Sequence, residues 1–300
     1  MKTPISNNKL KRSRSPHFFF GVVTPTPKDD DDDSNRNEEK RAKVEEGEGK
    51  KGAFLPVVHA SVPPHTLLLG TQPSDNSLKY SGYFMTNANC FWHIVGDALG
   101  FRRGFHVDGR EEAVDYVRPH LMHSESASYE EAIERLSSRG YAMWDVVAES
   151  TRKGSLDSAI RNAKYADVRS LVEAHPSIRK ICFSNGIDLA RRFRRAHDVW
   201  LREGTFYARD DPASRRVFGD LSAEGRIELC VLESVSPASN PRETWSAEKQ
   251  RAKGHDDRWA HRPAALYPFK RASWFEACFA DEPAVKAAPP FGSLDSDYRG

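Results

Sequence analysis

The sequence has little that would hold a metal, a disulfide framework or a membrane span. Only four cysteines occur in 300 residues: Cys90, Cys182, Cys230 and Cys278. They are far apart, form no CxxC pair and have no histidine at zinc-ligand spacing, so neither a metal site nor a disulfide framework is expected. Cys90, Cys182 and Cys230 sit in apolar runs and read as small core residues, which suits a reducing compartment. No apolar run approaches the ~20 residues that cross a bilayer. Net charge is scarce as well, at +2 from 45 Lys/Arg and 43 Asp/Glu. Residues 1–52 carry 12 of those bases and 10 of those acids, so the rest of the chain is balanced. Affinity for a polyanion would therefore come from a local patch.

Core-forming residues are sparse in the first 52 positions, which hold a DDDDD run and EEKRAKVEEGEGKK. This composition predicts a charged disordered tail over 1–52 and a folded domain over 53–300. The acids exclude an organelle transit peptide. Lys9, Lys11, Arg12 and Arg14, then Lys40, Arg41 and Lys43, fit a nuclear import signal and equally a solvated charged tail. Phe18, Phe19 and Phe20 form an apolar patch with three open readings: a docking peptide, a segment folding onto the body, or no role.

From residue 53 the texture changes. Four short runs rich in β-branched and aromatic residues read as buried strands: TLLLG (66–70), AMWDVV (142–147), IRKICFS (178–184) and IELCVLES (227–234). Helix-period segments lie between them: Asn89 to Leu99, Tyr129 to Ser137 after the cap Ser128, Asp167 to Ala174, and Gly186 to Trp200 with a basic face. Alternating strands and helices predict a four-stranded parallel sheet covered on both faces. Each strand runs into a polar loop: GTQPSDNS, AESTRKGS, SNGID and SVSPASN. Ligands of open α/β sheets bind beyond the carboxyl ends of the strands, so four such loops would build one site.

One stretch is more specific. In GTQPSDNSLKYSGYFMTNANCFW, Gly70 and Pro73 turn the chain after the first strand, and Asn89 opens a helix before Phe91 and Trp92. Gly70, Pro73, Ser77, Leu78, Tyr83, Phe84, Asn89, Phe91 and Trp92 follow, without a gap, the first signature of the uracil-DNA glycosylase superfamily. The resemblance is closest to the hypoxanthine-DNA glycosylase branch. WDVVAESTRKGSLDSAI (144–160), FSNG (183–186) and SVSPAS (234–239) resemble later motifs of that branch, in order. The resemblance covers about residues 65 to 280. It implies a three-layer α/β/α fold and removal of a base from DNA.

Such chemistry needs the nucleotide flipped from the stack into a pocket. It needs an aromatic platform, amides to read the base edge, and a water held near the sugar C1′. Asn89 matches the catalytic Asn of the branch; it could hold that water through its carbonyl oxygen, or merely cap the helix. Gln72 departs from the branch, which has an apolar residue there; it could share the water or bond within the turn. Tyr83 and Phe84 would form the stacking wall, with core packing as the alternative and the preferred reading for Phe91 and Trp92. Asn185 would read the base edge or turn the chain with Gly186. Ser234, Ser236, Pro237 and Ala238 would press on the DNA backbone. Other branches have a His where Ser234 falls, where it stabilises the departing anion; hypoxanthine can leave with its ring protonated instead. Ser155 and Asp157 would shape the pocket mouth, unless Asp157 is a structural cap. Thr86, Asn87 and Ala88 replace the branch's His-Pro-Arg.

Arg191, Arg192, Arg194 and Arg195, with Arg242, Lys249, Arg251, Lys253 and Arg258, could supply the phosphate patch or only a solvated face. No Lys falls at a signature position, so a monofunctional hydrolase is expected, with no Schiff base and no cofactor. The iron–sulfur cluster of some relatives lacks its cysteines here. The expected partners are DNA containing a damaged base and an import receptor or repair protein on the tail. A nuclear monomer without membrane contact is expected.

Overall fold

Period-two side-chain alternation puts Leu68 on one face of its strand and Leu67 and Leu69 on the other, and all three are buried. A strand covered on both sides has no polar face, which is why it reads as an unbroken apolar run. The computed structural model describes residues 49–86, 88–103, 117–236 and 266–288. The tail's basic clusters and Phe18–Phe20, Asn87, Pro237, Ala238, Arg242, Lys249, Arg251, Lys253 and Arg258 lie outside the described residues.

The chain begins with β1 (Lys50–Gly52) and β2 (Thr66–Gly70), then α1 (Asp75–Lys79) and α2 (Phe91–Leu99). Two-residue strands β3 (Arg102–Arg103) and β4 (Ser126–Ala127) pair in parallel and precede α3 (Tyr129–Ser137). Next come β5 (Tyr141–Asp145), β6 (Val147–Thr151) and β7 (Arg161–Tyr165). Helix and strand then alternate through α4 (Val168–Ala174), β8 (Lys180–Phe183), α5 (Gly186–Leu201), β9 (Phe206–Ala208), α6 (Pro212–Phe218) and β10 (Ile227–Val231). α7 (Leu266–Ala277) and α8 (Pro283–Lys286) complete the described elements.

The central sheet is parallel, in the order β5-β2-β8-β10-β9. Leu68, Met143, Cys182 and Cys230 pack with Phe91, Trp92, Ile133, Tyr267 and Trp274 of α2, α3 and α7. On the other face Leu67, Leu69, Ile181, Phe183 and Leu229 pack with Val168, Val172, Leu189, Phe193, Val217 and Phe218 of α4, α5 and α6. The result is three layers, α/β/α. All four cysteines are buried and free. No described helix is long and apolar enough to cross a membrane.

Local signals set the helix starts. Ser128 and Glu131 close a capping box on α3, and Asp167 accepts from Ser170 N on α4. Each such cap stabilises by ~1 kcal/mol. α2 carries a buried acid, Asp97, whose carboxylate is enclosed by partners: Arg102, Arg271 Nη1 (2.8 Å), Tyr267 Oη (2.7 Å) and Met122 N (2.8 Å). It ties α2 to α7.

The structure departs from the sequence reading in three places. β9 adds a fifth strand at the sheet edge; at three residues it is too short to stand out from periodicity. The run after Val147 is not a loop, because VAEST forms β6 in an antiparallel sheet, β1-β6-β7. Glu149 and Thr151 are half-exposed while Ser150 is buried, and the polar run resembles a loop in composition. Lys50–Gly52, placed in the tail by composition, also forms a strand that pairs with Glu149–Thr151.

Candidate active site

Three parallel strands end together. β2 and β5 stop at the paired residues Gly70 and Asp145, and β8 stops at Phe183 beside Leu69. The turns that follow are tied by side chains. Thr71 Oγ1 donates to Asp157 Oδ2 at 2.6 Å. Asn185 Nδ2 donates to Thr71 Oγ1 at 3.0 Å and to Asp157 Oδ2 at 3.3 Å. Ser184 Oγ donates to Leu69 O at 2.8 Å and lies 3.4 Å from Asn185 Oδ1. With Nδ2 engaged, the Asn185 amide presents its Oδ1 as an acceptor. Gly186 follows with φ +74°, a left-handed turn natural to glycine, and itself packs against Ser234.

The segment after β6 folds back over the β2 turn. Arg152 donates to Pro73 O, and Ser155 Oγ accepts from Asp75 N at 3.0 Å. Lys51 pairs with Asp75, which draws the Asp75 carboxyl below its ordinary range. Arg152 is fully buried, and its Nη1 lies 3.7 Å from Asp157 Oδ1. Asp157 is thus a clasp between Thr71, Asn185 and Arg152, and its side chain makes no helix-capping bond.

Asp145 lies behind this clasp. It is 3% exposed, and its Oδ2 has no hydrogen-bond partner. Burial, then the charge of Asp157, push its pKa up to about 8 against the opposing pull of Arg152. A Cβ on residue 70 would collide with Asp145 Oδ1 and sit 3.3 Å from Phe84 Cζ. Only glycine at position 70 lets the acid and the aromatic edge meet.

Phe84 holds φ +55°, a costly backbone conformation for a bulky residue, ~1–2 kcal/mol. The turn lays its ring on Phe91, with centroids 3.9 Å apart and 13° between planes. Phe91 is fully buried, whereas Phe84 is partly exposed. Tyr83 is placed differently from the expected wall. It is 2% exposed, its hydroxyl donates to Leu55 O at 3.0 Å, and its ring meets Phe54 edge-on. Its alternation with Phe84 sends it into the core.

Asn89 Oδ1 accepts from Phe91 N at 2.9 Å, so it caps the start of α2. Its second lone pair and its Nδ2 have no partner among the described residues. Gln72 is 8% exposed and bridges the two sheets: Nε2 donates to Lys51 O (2.9 Å) and Oε1 accepts from Ser150 Oγ (2.7 Å). Both ends of that amide are engaged, away from the role of a water ligand.

The loop after β10 closes the site from the other side. Val235 N donates to Ser184 O, and Val235 O accepts from Cys90 N, each at 3.0 Å. These bonds set Ser234 and Ser236 beside both Asn185 and the start of α2. Lys270 of α7, which sequence reasoning missed, donates to Ser236 O at 3.3 Å, and burial lowers its pKa. The arginines of α5 differ among themselves. Arg194 is neutralised by Asp220 (2.8 and 2.6 Å), Arg192 reaches Asp157 O (3.4 Å), and Arg191 and Arg195 are exposed. Among the described residues, no group of His, Cys, Asp or Glu could hold a metal ion.

The carboxyl ends of a doubly covered parallel sheet here gather an amide, a hydroxyl, a buried acid and an aromatic ring, at the edge where open α/β sheets bind their ligands. No family model matches the chain. It is 30% identical over 118 residues to the hypoxanthine DNA glycosylase of Methanosarcina acetivorans, covering 39% of this chain and 61% of that protein. It is 24% identical over 135 residues to the hypoxanthine DNA glycosylase of Methanosarcina barkeri, covering 45% of this chain and 71% of that protein. The solution NMR structure of a candidate uracil DNA glycosylase from Methanosarcina acetivorans matches 69% of this chain and 96% of its own, at 25% identity and a TM-score of 0.41. The chain thus spans under two thirds of the length of the first of these relatives. With its motifs in order at the strand ends, the chain is similar to the hypoxanthine branch of the uracil-DNA glycosylase superfamily.

Proposed function

We propose that the protein is a monofunctional DNA glycosylase that hydrolyses the N-glycosidic bond of a deaminated base flipped out of DNA, leaving an abasic site. Hypoxanthine is the proposed substrate and uracil a second one. The observation that carries this reading is the strand-end cluster of Asn185, Thr71 and Asp157 beside the partly exposed ring of Phe84. Phe84 stacks the base. Asn185 Oδ1 accepts the ring N–H that both hypoxanthine and uracil carry and that adenine and cytosine lack. Asn89 holds the attacking water with its free lone pair and stabilises the cationic sugar. Ser234 and Ser236, with Pro237 and Ala238, contact the backbone phosphates.

The measurement is base release from an oligonucleotide with one deoxyinosine, read as an alkali-labile site. Asn89→Ala should lose ~100-fold or more in rate while still binding DNA. Full activity in that variant would remove Asn89 from the mechanism. A second reading, a non-catalytic damage-binding module, draws on the capping bond of Asn89 and the bridging of Gln72. It predicts binding without release.

We also propose that the protein acts as a nuclear monomer, with residues 1–52 as the import segment. A fluorescent fusion of those residues should accumulate in nuclei and lose that accumulation on Lys11→Ala with Arg12→Ala.

A further inference from the structure

Buried carboxyls normally find partners, and Asp97 shows how this chain supplies them: two arginines, a tyrosine hydroxyl and a backbone N–H. Asp145 has the same burial and none of that company. Arg152 is the cation that pulls on it, but Arg152 donates to Pro73 O and leans on Asp157. Asp145 lies at the end of its strand, where the neighbouring strand is cut back to glycine, against the edge of the proposed stacking ring. A residue kept without partners at a ligand-binding edge is placed to meet a group that arrives from outside.

Ser234 offers a departing purine only a hydroxyl, which carries no charge. A neutral carboxylic acid can supply a proton instead. The groups facing Asp145 favour that neutral form. Asp157 repels a second negative charge, Arg152 opposes, and among the described residues the phenols of Tyr83 and Tyr129 face it from the other layer.

We propose that Asp145 is the acid that protonates the departing purine, delivering its proton to a ring nitrogen of the flipped base as the C1′–N9 bond breaks. The electron pair of that bond leaves with the purine, and the proton makes the purine neutral. Water adds to C1′, and the proton it sheds restores the carboxyl through solvent. Uracil leaves as a stabilised anion and does not need this proton. The acid thereby sets the preference for purines. This inference rests on the glycosylase reading given above.

The test is the single-turnover rate on deoxyinosine and deoxyuridine duplexes across pH 5–10, for the full chain and for Asp145→Asn. The native rate on inosine should hold at low pH and fall about tenfold per unit above pH 8, since only the neutral acid works. Asp145→Asn should lose ~100-fold or more on inosine, with that alkaline fall abolished, and change little on uracil. An inosine rate in the native protein that stays level through pH 8–10 overturns the proposal without any variant. So does an Asn variant with native rate and native pH profile. If the native protein releases no base at all, the glycosylase reading falls and takes this inference with it; inosine release at the native rate in Asp145→Asn overturns only the inference.

Discussion

Replacing Asp145 by Asn should stabilise the protein, and the gain should grow with pH. In the unfolded chain the carboxyl ionises near its ordinary value of 3.8, whereas in the folded chain it stays protonated up to about pH 8. Between those values folding takes up a proton, so the native protein loses stability as pH rises, by about 1.4 kcal/mol per unit. The loss stops once pH passes the folded value. Asn has the same shape and does not titrate. Other groups titrate alike in both proteins, and Asp157 sees a neutral neighbour in each, so they cancel in the difference. Urea unfolding at pH 5, 6, 7 and 8 would read the effect. The stability gap between variant and native protein should widen by about 3 kcal/mol from pH 5 to pH 7. The offset at pH 5 is not diagnostic, because the amide brings its own desolvation cost. The slope is. A gap that stays constant from pH 5 to pH 8 would mean that Asp145 is ionised in the folded protein, and the argument from its isolation would fail.

Other perturbations test separate parts of the site. Phe84→Ala should weaken capture of a damaged duplex by ~1–3 kcal/mol, the worth of one base–aromatic stack, and this would be read as the concentration giving half-maximal single-turnover rate. Asp97→Ala should destabilise by ~3–5 kcal/mol in urea unfolding, because it leaves Arg102 and Arg271 buried without their carboxylate. Borohydride added during turnover should trap no protein–DNA adduct. A trapped adduct would point to the buried Lys270 beside Ser236 as a nucleophile and end the monofunctional reading.

The layout of the domain is legible in the sequence where burial leaves a chemical trace. TLLLG is β2 residue for residue, because a strand covered on both faces must be apolar throughout. YEEAIERLS is α3 residue for residue, because its cap and its period agree. β6 and β7 are not legible, since their solvent-facing positions carry Glu, Thr, Lys and Asn as a loop would. The site divides the same way. Asn185, Asp157 and Phe84 stand out as polar or aromatic residues in turns after strands. Asp145 and Arg152 do not, because no local pattern says whether a charged residue is buried or what surrounds it. Tyr83 and Gln72 look in sequence as suited to a base or a water as their neighbours do. Only the packing of Tyr83 against Phe54, and the bridge from Gln72 to Lys51 and Ser150, assign them to the framework.

Base release from deoxyinosine tests the central claim most directly. An end-labelled duplex with one deoxyinosine, incubated with the full chain, should break at that position only after alkali, and Asn89→Ala should abolish the break. No free base and no alkali-labile site from inosine or uracil, in duplex or single strand, would contradict the account.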